Sequence, residues 1–217
     1  MEKSIVFDMD GVIFDTEILV ISCWDKIGKK YNIKNTGEVC KKCIGTNANK
    51  TAEIFKENYG QDFPFEKYSK EVSKLFHEIE DSEGIPVKKG ARELLEYLRE
   101  NNYKIGLASS TKIEFVTKEL KDANLYDYFD IVVGGDMLKK SKPEPDIYLL
   151  ACEKLNVNPK ETFAIEDSFN GIKSAYRAKM KAIMVPDMLK PNEEIKQYTF
   201  KIFNDLFEVK DYLENNN

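Results

Sequence analysis

The chain is 217 residues long, 42% hydrophobic and 33% charged, with a formal net charge of −5. No apolar run is long enough to cross a membrane and no signal-peptide core opens the chain, so no membrane partner is expected and the cytoplasm is the expected compartment. The acidic balance and scattered basic residues argue against a nucleic-acid partner, and the length favours one main domain with a sizeable insertion.

The first element in chain order is a strand. Ile5, Val6 and Phe7 form a continuous apolar run, which predicts a buried strand over 4–8. It runs straight into acid: in "SIVFDMDGVIFDTE" Asp8, Asp10 and Asp15 follow within a few positions. The stretch 16–83 then shows helical periodicity and no convincing strand. Val20, Trp24, Ile27 and Tyr31 make one apolar stripe, with Trp24 expected in a core; Tyr68, Val72, Leu75, Phe76 and Ile79 make another. His77 falls off that stripe and reads as a surface residue.

Between the stripes lie Cys40-x-x-Cys43 and "GTNANKT". With no second C-x-x-C and a single histidine, Cys40 and Cys43 read as plain thiols rather than a metal or redox pair. Gly45-Thr46-Asn47 reads either as a cap loop facing substrate or as an ordinary turn before a helix N-capped by Asn49. "DSEGIPVKKGA" then holds Gly84 and Pro86, a linker or hinge.

From there strands and helices alternate. Leu94, Leu95 and Leu98 mark a helix, and 105–108 a strand. Ile113, Val116 and Leu120 mark a second helix with a capping-box spacing at Thr111 and Glu114. Strands at 131–133, 163–165 and 182–185 follow, with a weaker one at 199–203; helices marked by Ile147, Leu150, Ala151 and Leu155, and by Ile172, Ala175 and Tyr176, lie between. The fold class is therefore α/β: a Rossmann-like parallel sheet with helices on both faces, over 1–15 and 84–217, plus an inserted all-α cap domain over 16–83.

In such sheets ligands bind beyond the carboxyl ends of the strands. Those ends carry Asp8 and Asp10; Ser109, Ser110 and Thr111; Asp136, with Lys142 soon after; and Glu166 and Asp167. Carboxylates gathered there repel: two unit charges about 4 Å apart cost roughly 4 kcal/mol at an effective dielectric of 20. A hard divalent cation resolves this, and Mg2+ suits a few carboxylates plus water and phosphate. A calcium loop starting at Asp8 fails, because Val12, Ile13 and Leu19 would occupy ligand and glycine positions.

The set also suits phosphomonoester hydrolysis. A rigidly held carboxylate, Asp8, can attack phosphorus and form an aspartyl-phosphate, which splits a slow reaction into two easier steps. Asp10, two residues on, can protonate the leaving oxygen and later activate water. Ser109 and Lys142 can grip the phosphoryl group, and Lys142 offsets the charge of Asp8.

These residues resemble the motifs of the haloacid dehalogenase superfamily. "FDMDGVIFDTE" resembles its first motif, "LASST" the second, "SKPEPD" the lysine motif and "AIEDSFNGIKSA" the acidic final motif, in family order. The branch resembled carries a helical cap after the first motif and includes β-phosphoglucomutase and many small phosphatases. The resemblance implies Asp8 as nucleophile and Mg2+ ligand, and Asp10 as acid/base that also binds Mg2+ through its backbone carbonyl. It implies Ser109, Ser110 and Lys142 as phosphoryl-binding residues, and Asp167 as a metal ligand with Glu166 as ligand or partner. It implies a small hairpin flap after Asp10, with Asp15 structural there, and a cap that closes over the site. Specificity is expected near Thr16, Glu17, Gly45, Thr46, Asn47 and Lys50.

The mutase places a histidine where this chain has Val20 and a cap arginine where it has Ala48. That loss of a second phosphate grip, for which Lys50 or Asn47 could substitute, favours a phosphatase over a mutase. The expected partner is a small phosphorylated metabolite such as a sugar phosphate, turned over by a monomer. A non-enzymatic phospho-switch of the receiver type is disfavoured, because its phosphorylated aspartate follows the third strand and it has no inserted cap.

Overall fold

A computed structural model describes residues 3–44, 46 and 48–216. The strands β1 (Ser4–Phe7), β2 (Lys104–Ala108), β3 (Ile131–Val133), β4 (Phe163–Glu166), β5 (Lys181–Met184) and β6 (Lys201–Ile202) pair in parallel, in the order β3-β2-β1-β4-β5-β6. Chain order reverses next to β1, so β1 sits between β2 and β4 and its carboxyl end faces the crevice that such a switch opens. Ile5, Val6 and Phe7 are fully buried, as a central strand covered on both faces requires.

Alternation sends Val6, Ala108, Val133, Ala164, Ala182 and Met184 to one face. There they pack with Ile147, Tyr148, Ala151 and Leu155 of α7 (Asp146–Leu155) and Ile172 and Ala175 of α8 (Phe169–Arg177). Helices α5 (Ala91–Glu100) and α6 (Ile113–Asp122) contact β2 and β3, and α10 (Leu206–Asn215) packs on α5. The small helix α9 (Glu193–Lys196) adds Ile195 to the first core.

Four of these helices stop the same way. Asn102, Asn124, Asn156 and Lys179 take left-handed backbone, with φ of 58°, 54°, 54° and 63°. The next residue's N–H then reaches back to a carbonyl five positions earlier: Tyr103 to Leu98 (3.0 Å), Leu125 to Leu120 (2.8 Å), Val157 to Cys152 (3.0 Å) and Met180 to Ala175 (3.0 Å). This satisfies the last carbonyls of each helix and turns the chain back toward the sheet. The capping box expected at Thr111 and Glu114 does not form. Lys112 is the N-cap residue of α6, and the Asp136 carboxylate accepts from the Ile113 N–H at 2.9 Å instead.

The chain divides into two compact units, Met1–Phe14 with Val87–Asn217, and Asp15–Pro86. The expected boundaries shift slightly: Asp15 and residues 84–86 go with the helical unit, where the Asp15 N–H donates to the Pro86 carbonyl at 2.8 Å. That unit contains α1 (Thr16–Lys30), α2 (Thr36–Lys41), α3 (Ala48–Tyr59) and α4 (Phe65–Glu83). Its centre is aromatic: Trp24 stands 4.2 Å from Phe55 and 5.8 Å from Phe65, and Phe55 is 5.9 Å from Phe63, ring centre to ring centre. Val72 and Ile79 of the second stripe are buried. Asn49 lies inside the first turn of α3 rather than capping it. Among the described residues no helix is long and apolar enough to cross a membrane.

Candidate active site

Asp8 is the first residue beyond β1, and its N–H still donates to the Ile165 carbonyl of β4 at 2.9 Å. Strand pairing on both sides therefore fixes its backbone. The chain then folds into a tight turn, after which Phe14 pairs antiparallel with Val87. The Ile13 and Phe14 N–H groups both return to the Met9 carbonyl, at 2.8 and 3.0 Å, and the Gly11 N–H reaches the Phe14 carbonyl at 2.8 Å. Val12, Ile13 and Phe14 are buried, and the Lys88 N–H donates to the Ile13 carbonyl at 2.8 Å. Gly11 has φ +77°, and a Cβ there would lie 2.4 Å from Asp167 Oδ2. Backbone conformation and the approach of Asp167 thus both demand glycine.

Lys142 stands at the centre of the site. Its Nζ donates to Asp8 Oδ1 at 2.6 Å, to Glu166 Oε1 at 2.7 Å and to the Ala108 carbonyl at 3.2 Å. These bonds use the three protons of an ammonium. Only 8% of the Lys142 side chain, 11% of Asp8 and none of Glu166 is exposed. Burial pushes the Asp8 carboxyl up to about 7, helped by the charges of Glu166 and Asp10 and opposed by Lys142. Burial alone would lower the Lys142 ammonium, but the charges of Asp8 and Glu166 prevail and hold it above the ordinary lysine range.

Glu166 accepts from four donors. Oε1 accepts from Lys142 and from the Tyr148 hydroxyl at 2.8 Å; Oε2 accepts from the Ser168 hydroxyl at 3.0 Å and the Ser168 N–H at 3.3 Å. Ser168 is also the N-cap of α8, its hydroxyl accepting from the Gly171 N–H at 3.0 Å. A Cβ on Gly171 would lie 1.8 Å from Glu166 Oε1, so the first turn of α8 closes directly onto this carboxylate. Asp8, Glu166 and Asp167 each offer one oxygen, all within 4.8 Å of one another. A crowded, all-oxygen set with a carboxylate held well above its usual range fits a hard divalent cation such as Mg2+.

At the end of β2, Ser109 is fully buried; its N–H donates to the Val133 carbonyl at 3.0 Å and its hydroxyl accepts from the Thr111 N–H at 3.0 Å. The Thr111 hydroxyl donates to Asp10 Oδ2 at 3.3 Å, which ties the second aspartate to the second strand. Ser110 is exposed beside them. The structure thus brings Asp8, Asp10, Ser109, Lys142, Glu166 and Asp167 to one edge of the sheet. Asp136, from the same set of strand ends, is engaged instead at the start of α6.

The expected cap positions separate. Thr16 and Glu17, on the first turn of α1, line a cavity of about 240 Å³ within the helical unit, together with Val20, Trp24, Cys40, Cys43 and Thr51. Thr46 bonds the Cys43 carbonyl at 2.7 Å and the Thr51 hydroxyl at 3.0 Å. Lys50 lies on the exposed side of α3, paired with Glu53 at 3.0 Å. Gly45 and Asn47 lie outside the described residues. Cys40 and Cys43 are free, buried thiols; burial pushes Cys40 up to about 12, with a smaller contribution from Cys43.

Sequence reasoning missed Tyr148, Ser168 and Gly171. Tyr148 sits at core spacing on α7 and is fully buried, so its pattern says only that it packs. Ser168 carried a readable signal, a short hydroxyl residue just before a helical run. The Lys88–Asp187 ion pair, mostly buried and far apart in sequence, had none.

Fold and site together define a doubly wound α/β protein whose acidic site, offset in part by one lysine, lies at the carboxyl ends of its central strands. Residues 5–185 match the family model of haloacid dehalogenase-like hydrolases, and the chain belongs to that family. It is 32% identical over 181 residues to a phosphorylated carbohydrates phosphatase of Thermotoga maritima, covering 83% of each chain. It is 30% identical over 192 residues to the β-phosphoglucomutase of Bacillus subtilis, covering 84% of this chain and 83% of that one. The crystal structure of a β-phosphoglucomutase from Clostridium difficile superposes with a TM-score of 0.69 at 27% identity, covering 99% of this chain and 96% of the other.

Proposed function

We propose that the protein is a Mg2+-dependent phosphatase that hydrolyses a small phosphorylated metabolite, a sugar phosphate in the first instance, through an aspartyl-phosphate on Asp8. The observation that carries this reading is the placement of Asp8. It is a rigid, buried carboxylate bonded to an ammonium at 2.6 Å, within 4.8 Å of further carboxylate oxygens able to hold a cation. A bound Mg2+ ion, held by Asp8 and Asp167 with Glu166 beside them, would supply positive charge against the phosphoryl oxygens.

Asp8 attacks phosphorus, and the phosphorus–oxygen bond to the leaving group breaks. Asp10, oriented by the Thr111 hydroxyl, gives its proton to the departing oxygen. Ser109 and Lys142 hold equatorial oxygens, with the exposed Ser110 next to Ser109 in the chain as a further donor. Asp10 then takes a proton from water, which attacks phosphorus, breaks the bond to Asp8 and releases phosphate.

Hydrolysis is favoured over phosphate migration by what lines the helical unit's cavity. Among its described lining residues none is basic, and the Lys50 ammonium stands 3.0 Å from Glu53. A mutase must hold a second phosphate. The Thermotoga relative named for phosphorylated carbohydrates supports a carbohydrate leaving group. The test is phosphate release from p-nitrophenyl phosphate and from a panel of sugar phosphates with Mg2+. Asp8→Asn is expected to abolish release, and undiminished turnover would end the proposal. Conversion of β-glucose 1-phosphate to glucose 6-phosphate without free phosphate would favour the mutase.

A further inference from the structure

The Tyr148 hydroxyl is a buried polar group beside the site that the machinery above leaves unused. Tyr148 is fully buried on α7 and touches both members of the pair behind the nucleophile. Its hydroxyl donates to Glu166 Oε1 at 2.8 Å, and the Lys142 Nζ stands 5.1 Å from its ring centre, within reach of a cation–π interaction. The same Glu166 oxygen also takes the Lys142 bond, at 2.7 Å. The other oxygen is occupied by the two Ser168 donors, at 3.0 and 3.3 Å.

A carboxylate offers about four acceptor directions, and Glu166 receives four donors. Turning it toward a cation would break at least one of these bonds in a buried setting, where an unpaired polar group is expensive. Asp167, by contrast, leaves β4 on the side of the Asp10–Gly11 turn.

We propose that Tyr148 is a positioning residue: it locks Glu166 onto Lys142, so that Glu166 aims the ammonium at Asp8 and stays out of direct contact with the metal, which is left to Asp8 and Asp167. This rests on the phosphatase reading for its kinetic consequence but not for its metal-binding one. Tyr148 acts through Glu166, so its hydroxyl matters only while that carboxylate is present.

The test uses Tyr148→Phe, which keeps the ring over Lys142 and removes only the hydroxyl. A bond to a charged acceptor predicts a fall in kcat for p-nitrophenyl phosphate of about tenfold or more, with KM within about twofold. Mn2+ binding, followed by electron paramagnetic resonance without substrate, is expected to tighten about threefold or more as Glu166 is freed to turn. Added to Glu166→Ala, which removes the acceptor altogether, Tyr148→Phe is expected to change kcat by less than about twofold.

Glu166→Gln alone, whose amide oxygen can still accept from Lys142 and Tyr148, is expected to keep Mn2+ affinity within about threefold. A loss of about tenfold or more would make Glu166 a direct ligand and overturn the proposal. So would parent-like kcat and Mn2+ affinity in Tyr148→Phe, or an undiminished effect of that change when it is added to Glu166→Ala. If Tyr148→Phe does not fold, the Glu166→Gln titration decides alone. If the parent releases no phosphate from any substrate, the phosphatase reading fails while both Mn2+ titrations still test Tyr148.

Discussion

Replacing Lys142 with methionine keeps most of the side chain's length and removes its charge. In the parent, Nζ lies 2.6 Å from Asp8 and 2.7 Å from Glu166, with 8% of the lysine side chain exposed. At an effective dielectric of about 20, each such contact is worth about 6 kcal/mol before desolvation. Desolvation takes back several kcal/mol per ion, and breaking a buried pair by removing one partner costs about 3–5 kcal/mol. For a chain of this size that lowers the melting midpoint by about 6–20 °C.

The loss also depends on pH with a definite sign. Burial and the charge of Glu166 already hold Asp8 at about 7 in the presence of Lys142. Without Lys142 its folded pKa rises further above the unfolded value. A carboxyl raised on folding resists ionisation, so its stability is retained at low pH and lost as pH climbs through the folded pKa. Folded Asp8 stays protonated in both proteins below about pH 7, so the gap between Lys142→Met and parent should widen only as pH rises from about 7 to about 9, measured by thermal melts in metal-free buffer. A variant melting within about 2 °C of parent at the upper pH, or a gap that narrows as pH rises, would refute this account of the site's electrostatics.

Gly171→Ala is expected to destabilise the protein and lower phosphate release about tenfold, because its Cβ would stand 1.8 Å from Glu166 Oε1. Helix propensity alone predicts the opposite sign, so a variant more stable than parent would contradict the packing argument. Mg2+ binding is expected to release protons near neutral pH, since a cation favours the ionised form of Asp8, which otherwise titrates at about 7. Calorimetry in buffers of different ionisation enthalpy should show this, with the effect fading by about pH 9; buffer-independent heats at neutral pH would count against it. Cys40, pushed up to about 12, should resist labelling by a thiol reagent at about pH 8 until the chain is unfolded. Rapid labelling of the native protein would contradict its burial.

Much of the fold was written locally. The runs Ile5–Phe7 and Phe163–Ile165 are apolar without alternation, which suits a strand covered on both faces. The stripe through Trp24 and Ile27 has the helical period, and α1 forms there. Strand ends in a parallel sheet converge by topology, so Asp8, Ser109, Lys142 and Asp167 could be gathered into one site from their places in the chain. Helix starts were less legible. Thr111 and Glu114 have the spacing of a capping box, yet Thr111 turns to Asp10, and Asp136 caps the helix from across a loop.

Tertiary structure alone decided how the charges are paired. Sequence established that Asp8, Glu166 and Lys142 share an edge, but not that one ammonium would bond both carboxylates and a strand carbonyl at once. Nor could it show that Tyr148, spaced like any core residue, would turn its hydroxyl onto Glu166. Periodicity reports which face a residue takes, because solvent and core differ along a whole element. Hydrogen-bond partners depend on distances of a few tenths of an ångström between elements far apart in the chain, and those exist only once helices α7 and α8 have packed against the sheet.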